Sequence, residues 1–171
     1  MAVPLWRRLA AASCLAIGIG GAAYVKLHFG PAATDSLARL GRPLPSLTVD
    51  ASGTAADLKD LVAGRKSVIV FYSPTCRVCR ETLPALQPFP ATLQLIMVSE
   101  SSAEADPEAL RFPGAGLYFD RWGALKRSFA VAALPTILFV DERGVLRYGM
   151  VGSYRREWVQ GKLREFASRI D

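Results

Sequence analysis

The sequence predicts an α/β fold, with a central mixed β-sheet flanked by helices and an N-terminal transmembrane helix before it. Two observations predict the sheet: continuous apolar runs typical of strands buried on both faces, and helix-forming segments between them. A third, an uncharged stretch near the N-terminus, predicts the membrane span. The apolar runs are Val68–Tyr72, Leu93–Val98 and Thr136–Val140. Such an order of strands and helices is typical of a layered α/β domain.

The elements before the first apolar run are predicted to be short. Leu44–Asp50 has the composition of an edge strand, and residues 51–53 turn the chain. Thr54 is a suitable cap for a helix over residues 54–63, which Gly64 ends.

Three helical segments are predicted between the central strand and the last apolar run. The first covers Arg80–Gln87, where Pro84 kinks it or ends its first part. The other two cover residues 103–111 and 120–129, and residues 112–116 form the loop between them.

The C-terminal part is predicted to be a hairpin followed by an amphipathic helix. Asp141–Gly144 forms the turn, and Val145–Tyr148 forms the return strand. The last helix runs from about Tyr154 to Ile170, with Ser153 as its cap. One face of this helix is apolar and is expected to pack on the sheet. Its residues are Val159, Leu163, Phe166 and Ile170.

Residues 1–30 are interpreted as an uncleaved signal anchor. Arg7 and Arg8 precede Leu9–Val25, which is 17 residues without a charge. Because positive residues keep the end that they flank in the cytoplasm, we expect a single inner-membrane span with the remaining chain in the periplasm. A cleaved signal peptide, with Gly21 and Ala23 at the cleavage site, and a buried N-terminal helix of the domain are the alternatives.

The rest of the chain is interpreted as a linker over residues 31–44 and one domain over residues 45–171. After the three basic residues before Pro31 are set aside, 18 Lys and Arg face 15 Asp and Glu. The basic residues are scattered rather than clustered, so no nucleic-acid partner is expected.

The motif that indicates chemistry is a CxxC pair, Cys76 and Cys79, at a predicted strand-to-helix turn. Helix N-termini and basic neighbours lower the pKa of a thiol, and the thiolate is the reactive form. We therefore expect Cys76 to be the nucleophile and Cys79 the more buried resolving thiol. Arg77 and Arg80 are expected to lower the thiol pKa by their charge.

Metal and haem sites are the other uses of such a pair. A structural zinc site needs two more ligands, and Cys14 and His28 both lie in the predicted membrane segment. Haem attachment needs a histidine directly after the second cysteine, where Arg80 stands. No metal or cofactor is therefore expected. A purely structural disulfide remains an alternative, although so small a ring stabilises little.

A second element, Leu134-Pro135, directly precedes the last apolar run. The stretch SPTCRVCRETLPAL resembles the active-site turn and helix of thioredoxin-fold proteins, and FAVAALPTILFVDERGVLRYGMVG resembles their cis-proline strand and hairpin. The resemblance covers about Pro45–Ile170. It is greatest to the membrane-anchored, periplasm-facing TlpA-type proteins and to the redoxin-like accessory protein of methylamine dehydrogenase maturation.

The resemblance implies a thioredoxin fold and a thiol–disulfide oxidoreductase that acts on protein thiols and disulfides without a bound cofactor. It also implies that Pro135 is cis and faces the cysteines, and that the backbone of Leu134 pairs with a substrate chain. A membrane electron donor that keeps the pair reduced is a further expectation. So is a role in maturing a partner enzyme or cytochrome.

Two departures from thioredoxin bear on the chemistry. The buried acid of thioredoxin is replaced by Val70, so the proton acceptor of Cys79 stays open between water and Glu81. The dipeptide between the cysteines is Arg-Val, which predicts a potential less reducing than thioredoxin's roughly −270 mV.

Two other functions are alternatives to the oxidoreductase. A peroxiredoxin-like peroxidase needs a Pro-x-x-x-Thr/Ser-x-x-Cys loop, but Pro74 and Thr75 directly precede Cys76. A non-catalytic thioredoxin-fold assembly or chaperone module would use the fold without its thiols.

Overall fold

A computed structural model describes residues 40–51, 54–99, 111–120 and 122–169. Within them, the sheet has seven strands. The strands are β1 (Thr48–Ala51), β2 (Thr54–Asp57), β3 (Ser67–Tyr72), β4 (Gln94–Ser99), β5 (Gly116–Phe119), β6 (Thr136–Val140) and β7 (Leu146–Val151). The helices are α1 (Leu58–Val62), α2 (Arg77–Thr82), α3 (Ala124–Ser128) and α4 (Arg156–Ser168), and a 3-10 turn covers Leu83–Leu86.

The sheet is mixed, as predicted, in the order β2-β1-β5-β4-β3-β6-β7. Strands β3, β4 and β5 run parallel to one another, and the other neighbouring pairs are antiparallel. Because β6 is antiparallel to β3, the start of β6 lies beside the end of β3. This topology positions the candidate site, since the CxxC pair follows β3 and Leu134-Pro135 precedes β6.

Strand β3 is buried along its whole length, in agreement with its apolar sequence after Ser67. Alternate residues face opposite clusters, because side chains on a strand point to opposite faces in turn. Val68, Val70 and Tyr72 join the cluster that includes the buried residues of α4. Ile69 and Phe71 join a cluster with residues of α1 and α3. Helices therefore cover both faces of the sheet.

The helix predicted over residues 54–63 is wrong in its first half. Residues 54–57 form β2 and pair with β1, and only Leu58–Val62 is helical. The cap is Asp57 rather than Thr54, since the Asp57 carboxylate accepts a hydrogen bond of 2.8 Å from the Lys59 N–H. Pairing with β1 provides hydrogen-bond partners for the backbone N–H and C=O groups of residues 54–57, which a helix would otherwise have provided.

The helix predicted over Arg80–Gln87 begins and ends earlier. It covers Arg77–Thr82, with Cys76 as its N-cap, and continues as the 3-10 turn. Pro84 lies inside that turn. Proline has no N–H to donate within an α-helix, so the chain tightens at this point, in agreement with the predicted break.

Around β5 the prediction is wrong. Residues 116–119 form a strand, whereas the predicted loop ends at residue 116 and no element is predicted over residues 117–119. The helix predicted over residues 120–129 is reduced to α3. Asp120 holds the turn before α3, because its carboxylate accepts hydrogen bonds from Leu125 N (3.1 Å) and Lys126 N (2.8 Å). The predicted helix over residues 103–111 lies outside the described residues except for its last position.

At the C-terminus the hairpin and amphipathic helix are confirmed with shifted bounds. Strand β7 extends to Val151, which pairs with Thr136 of β6, so the return strand ends later than the predicted Tyr148. Residues 153–155, where the helix was predicted to begin, belong to neither a strand nor a helix. Helix α4 starts at Arg156, and Ser153 is not its cap. Its buried residues are Val159, Leu163 and Phe166, whereas Ile170, the fourth residue of the predicted apolar face, lies outside the described residues.

Part of the predicted linker belongs to the folded structure. Gly41 N donates to Leu146 O and Leu44 N donates to Gly144 O, each at 2.8 Å, and Pro43 forms a β-bridge with Val145. The side chain of Leu44 is buried. The chain therefore joins the β7 edge of the sheet before Pro45.

The predicted membrane segment over residues 1–30 lies outside the described residues. Within the described ranges, no helix has the length and apolar character that a bilayer crossing requires. The membrane segment therefore stays a prediction.

Candidate active site

A tight turn joins β3 to α2 and presents the first cysteine. Cys76 N donates to Ser73 O at 3.1 Å, and the hydroxyls of Ser73 and Thr75 are 3.0 Å apart. The backbone of Cys76 is extended, with φ −76° and ψ 111°, as is usual for an N-cap residue. Its side chain thus lies at the start of the helix.

The two cysteines form a disulfide with a Cα–Cα distance of 5.2 Å, and they differ sharply in exposure. Cys76 is partly exposed, whereas Cys79 is 0% exposed within the core. Cys76 Sγ also accepts a hydrogen bond of 3.1 Å from the Cys79 N–H. A hydrogen bond to the ionised sulfur lowers the pKa of a thiol, so this N–H favours a thiolate at Cys76 once the disulfide opens.

The segment before β6 lies against the first cysteine. Cys76 Sγ is 3.8 Å from the carbonyl oxygen of Leu134, and the Leu134–Pro135 peptide bond is cis, as the resemblance implies. Thr136 Oγ1 donates to Ala133 O at 2.7 Å, and Gly152 N donates to Pro135 O at 2.8 Å. These hydrogen bonds connect Ala133 to the first residue of β6 and Pro135 to the residue that follows β7.

The arginines predicted to tune the thiol pKa are engaged elsewhere. Arg77, with its side chain 85% exposed, donates from Nε to Glu81 Oε1 at 2.8 Å, which raises the pKa of Arg77. Arg80 Nη1 donates to Pro74 O at 3.3 Å. Charges so exposed act on the sulfur through solvent and are screened by salt. Their role in tuning stays a prediction.

Glu81, one of the two predicted proton acceptors for Cys79, lies in different surroundings from that cysteine. The Glu81 side chain is 56% exposed and paired with Arg77, while Cys79 faces the core. Thr82 is the polar residue that shares the buried face of α2 with Cys79. Sequence reasoning assigned Thr82 no role, although its spacing of three residues from Cys79 places it on the same side of a helix.

This arrangement has the parts needed for thiol–disulfide exchange. One sulfur is partly exposed and accepts a backbone hydrogen bond, a second is buried beside it, and a backbone carbonyl borders the first. Within the described residues there is no group of three or more His, Cys, Asp or Glu that could hold a metal ion.

Known proteins are similar to this chain in sequence. A family model described as a thioredoxin-like domain matches residues 57–167. Thioredoxin-like protein YneN of Bacillus subtilis (strain 168) is 28% identical over 125 residues, which cover 66% of this chain and 71% of YneN. Thiol-disulfide oxidoreductase ResA of Bacillus thuringiensis (strain Al Hakam) is 23% identical over 159 residues, which cover 86% of this chain and 90% of ResA.

The fold is also similar to solved structures. The thioredoxin domain of a thiol-disulfide oxidoreductase from Bacteroides vulgatus matches with a TM-score of 0.58 at 19% identity, over 75% of this chain and 98% of that domain. This likeness concerns the fold. The family model spans the segments that carry Cys76, Cys79 and Pro135. The chain therefore belongs to the thioredoxin-like domain family.

Proposed function

We propose that this chain is a thiol–disulfide oxidoreductase that exchanges disulfides with protein substrates through Cys76 and Cys79. The observation that carries the proposal is the unequal exposure of two bonded sulfurs at the start of a helix. Cys76 is accessible to an incoming thiol, and Cys79 is fully buried. A disulfide with only a structural role has no need of this asymmetry.

The two cysteines have different roles in the proposed reaction. In the reducing direction, the Cys76 thiolate attacks a substrate disulfide, forms a mixed disulfide and releases the substrate's other sulfur as a thiolate. The Cys79 thiolate then attacks Cys76 Sγ, which closes the internal disulfide and releases the reduced substrate. The proposed binding element is Leu134-Pro135, whose carbonyl at Leu134 already borders Cys76 Sγ.

We further propose that the domain acts in the periplasm, anchored in the inner membrane by residues 1–30. The support is the order of charges in the sequence, with two arginines before a long uncharged stretch. An oxidising compartment would leave the pair oxidised, so a reducing role requires a membrane electron donor. Maturation of a partner enzyme or cytochrome is the proposed use of that reducing power.

The reduction potential of the pair tests the proposed activity. The full chain carrying Cys14→Ser would be purified in detergent and equilibrated with glutathione buffers. We expect reversible exchange at a potential less negative than about −270 mV. A value well below about −220 mV would indicate a reductant, and one near −120 to −180 mV an oxidant or isomerase.

The alternatives give different outcomes in the same preparation. A pair that does not exchange with glutathione would contradict the oxidoreductase and favour the assembly module. In that case the Cys76→Ser/Cys79→Ser variant would retain its function in cells. Turnover of hydrogen peroxide at the expense of a thiol would instead favour the peroxidase.

A further inference from the structure

Thr82 is a buried polar residue on the active-site helix, and its hydroxyl is unsatisfied. The residue is 1% exposed, and in the part of the chain that the structure describes its Oγ1 has no hydrogen-bond partner. Threonine hydroxyls in helices usually donate to a carbonyl one turn back or reach solvent. A buried, unpaired hydroxyl destabilises the state in which it occurs. Thr82 therefore destabilises the fold in the disulfide form in which it is observed.

The neighbour that could satisfy this hydroxyl is the resolving cysteine. Cys79 and Thr82 are the two buried residues of α2, three positions apart. Residues at this spacing are neighbours on one helix face, with Cβ atoms about 5–6 Å apart. In the structure, Cys79 Sγ is bonded to Cys76 and is a weak acceptor. As a thiolate it would be a charged acceptor within a buried apolar cluster.

Four charged side chains of α2 and of α4, which packs on the 3-10 turn, are exposed and already hydrogen-bonded. Arg77 pairs with Glu81, Arg80 donates to Pro74 O, and Arg156 donates to Pro84 O at 2.8 Å. On the buried face of α2, the side chain that could donate a hydrogen bond to a thiolate at Cys79 is Thr82.

We propose that the Thr82 hydroxyl donates a hydrogen bond to Cys79 Sγ when the disulfide opens, and thereby favours the reduced form. This inference rests on the proposed function. An incoming thiolate attacks Cys76 Sγ and forms a mixed disulfide with it. The Cys76–Cys79 bond breaks, and its electron pair goes to Cys79 Sγ, which leaves as a thiolate. The Thr82 O–H stabilises this leaving group, and it loses its partner again when the disulfide closes.

The test compares Thr82→Val and Thr82→Ser in the full Cys14→Ser chain. Valine has the same shape without the hydroxyl, and serine keeps the hydroxyl. We expect Thr82→Val to shift the equilibrium with glutathione about tenfold toward the disulfide. For a two-electron couple this equals a potential about 30 mV more negative. Thr82→Ser should stay close to the wild-type equilibrium.

A second readout separates this role from a packing role. Thr82→Val should raise the melting temperature of the oxidised form, because it removes an unpaired buried hydroxyl, and should not raise that of the reduced form. The matched control is Ser67→Ala, since Ser67 is buried at the far end of β3 and its hydroxyl donates to Arg65 O at 3.1 Å. It should lower both melting temperatures and leave the glutathione equilibrium unchanged.

Different results overturn the inference and the proposed function. If the wild-type pair exchanges with glutathione and Thr82→Val has the same equilibrium constant, only the role of Thr82 is contradicted. An unchanged pKa of Cys79 on Thr82→Val, followed by NMR in a Cys76→Ser background, would contradict it as well. If the wild-type pair does not exchange at all, the oxidoreductase itself is contradicted.

Discussion

At the scale of single residues, burial distinguishes side chains of the same type. The two cysteines are chemically identical, yet one is accessible and the other lies in the core. Asp141 shows the same principle away from the site. Its carboxylate is fully buried in the turn between β6 and β7, where it accepts hydrogen bonds from the Arg143 and Val145 N–H groups and from Arg147 Nε at 3.0, 2.8 and 2.6 Å.

These contacts make the stability of the domain depend on pH. Burial alone would raise the pKa of Asp141, but the hydrogen bonds from Val145, Arg147 and Arg143 outweigh it and hold the pKa below the ordinary value of 3.8. A carboxyl with a lowered folded-state pKa stabilises the fold above its unfolded pKa, and this contribution is lost as pH falls through the folded value. We expect Asp141→Asn to lower the free energy of unfolding at pH 7 by about 1–3 kcal/mol.

The pKa of an aspartate in the unfolded chain is ~4. Urea denaturation at pH 7 and at about pH 3, on either side of that value, would therefore measure the effect. Glu142→Gln is the matched control, because Glu142 lies in the same turn but is exposed, 3.8 Å from Lys66 Nζ. It should change the stability by less than about 1 kcal/mol. Equal losses in the two variants, or an Asp141→Asn variant as sensitive to acid as the wild type, would contradict this assignment.

At the scale of elements, the caps decide where helices begin. Asp57 and Asp120 provide carboxylates that accept from backbone N–H groups at the starts of α1 and α3, and Cys76 provides a sulfur for α2. Helix α4 differs from α1 and α2, since its N-cap residue, Arg155, makes no side-chain capping bond and adds positive charge at the positive end of the helix dipole.

The missing cap of α4 predicts a stabilising substitution. Arg155 already has the extended backbone of a capping residue, with φ −64° and ψ 143°. Arg155→Ser should therefore raise the free energy of unfolding by about 0.5–1 kcal/mol, because the serine oxygen can accept from an unpaired N–H of the first turn. Chemical denaturation would measure this change. Arg155→Ala removes the same charge without adding an acceptor, so an equal gain in both variants would attribute the effect to charge alone.

At the scale of the whole molecule, the strand order brings distant segments together at one end of the central strands. Cys76 and Leu134 are 58 residues apart in the chain but lie in contact, because β6 is antiparallel to β3 beside it. The same order leaves β7 at one edge, where the residues before Pro45 pair with it. The folded domain therefore includes residues before Pro45.

The proposed orientation in the membrane can be tested on the complete chain. Alkaline phosphatase, which is active only outside the cytoplasm, should be active when fused after Asp171, and green fluorescent protein at the same position should not fluoresce. The Arg7→Glu/Arg8→Glu variant should lower the phosphatase activity, because the positive residues set the orientation. Fluorescence of the wild-type fusion would contradict export. A mature N-terminus after Ala23 would favour the cleaved signal peptide over the anchor.

The sequence by itself determined the buried strands, the order of the main elements and the cysteine pair as the candidate site. Continuous apolar runs are a local signal of strands covered on both faces, and two thiols at a strand-to-helix turn have few chemical uses. Sequence could not assign β2 and β5, because a four-residue strand is defined by its partner rather than by its own composition.

Only the tertiary structure decided which polar groups face the sulfurs. Sequence neighbours such as Arg77 and Glu81 turn to solvent and pair with each other, whereas Leu134 contacts Cys76 from another strand. Burial of Thr82 without a partner is likewise a result of packing. Periodicity fixes the face of a helix on which a side chain lies, but the elements that cover that face set its exposure and its hydrogen-bond partners.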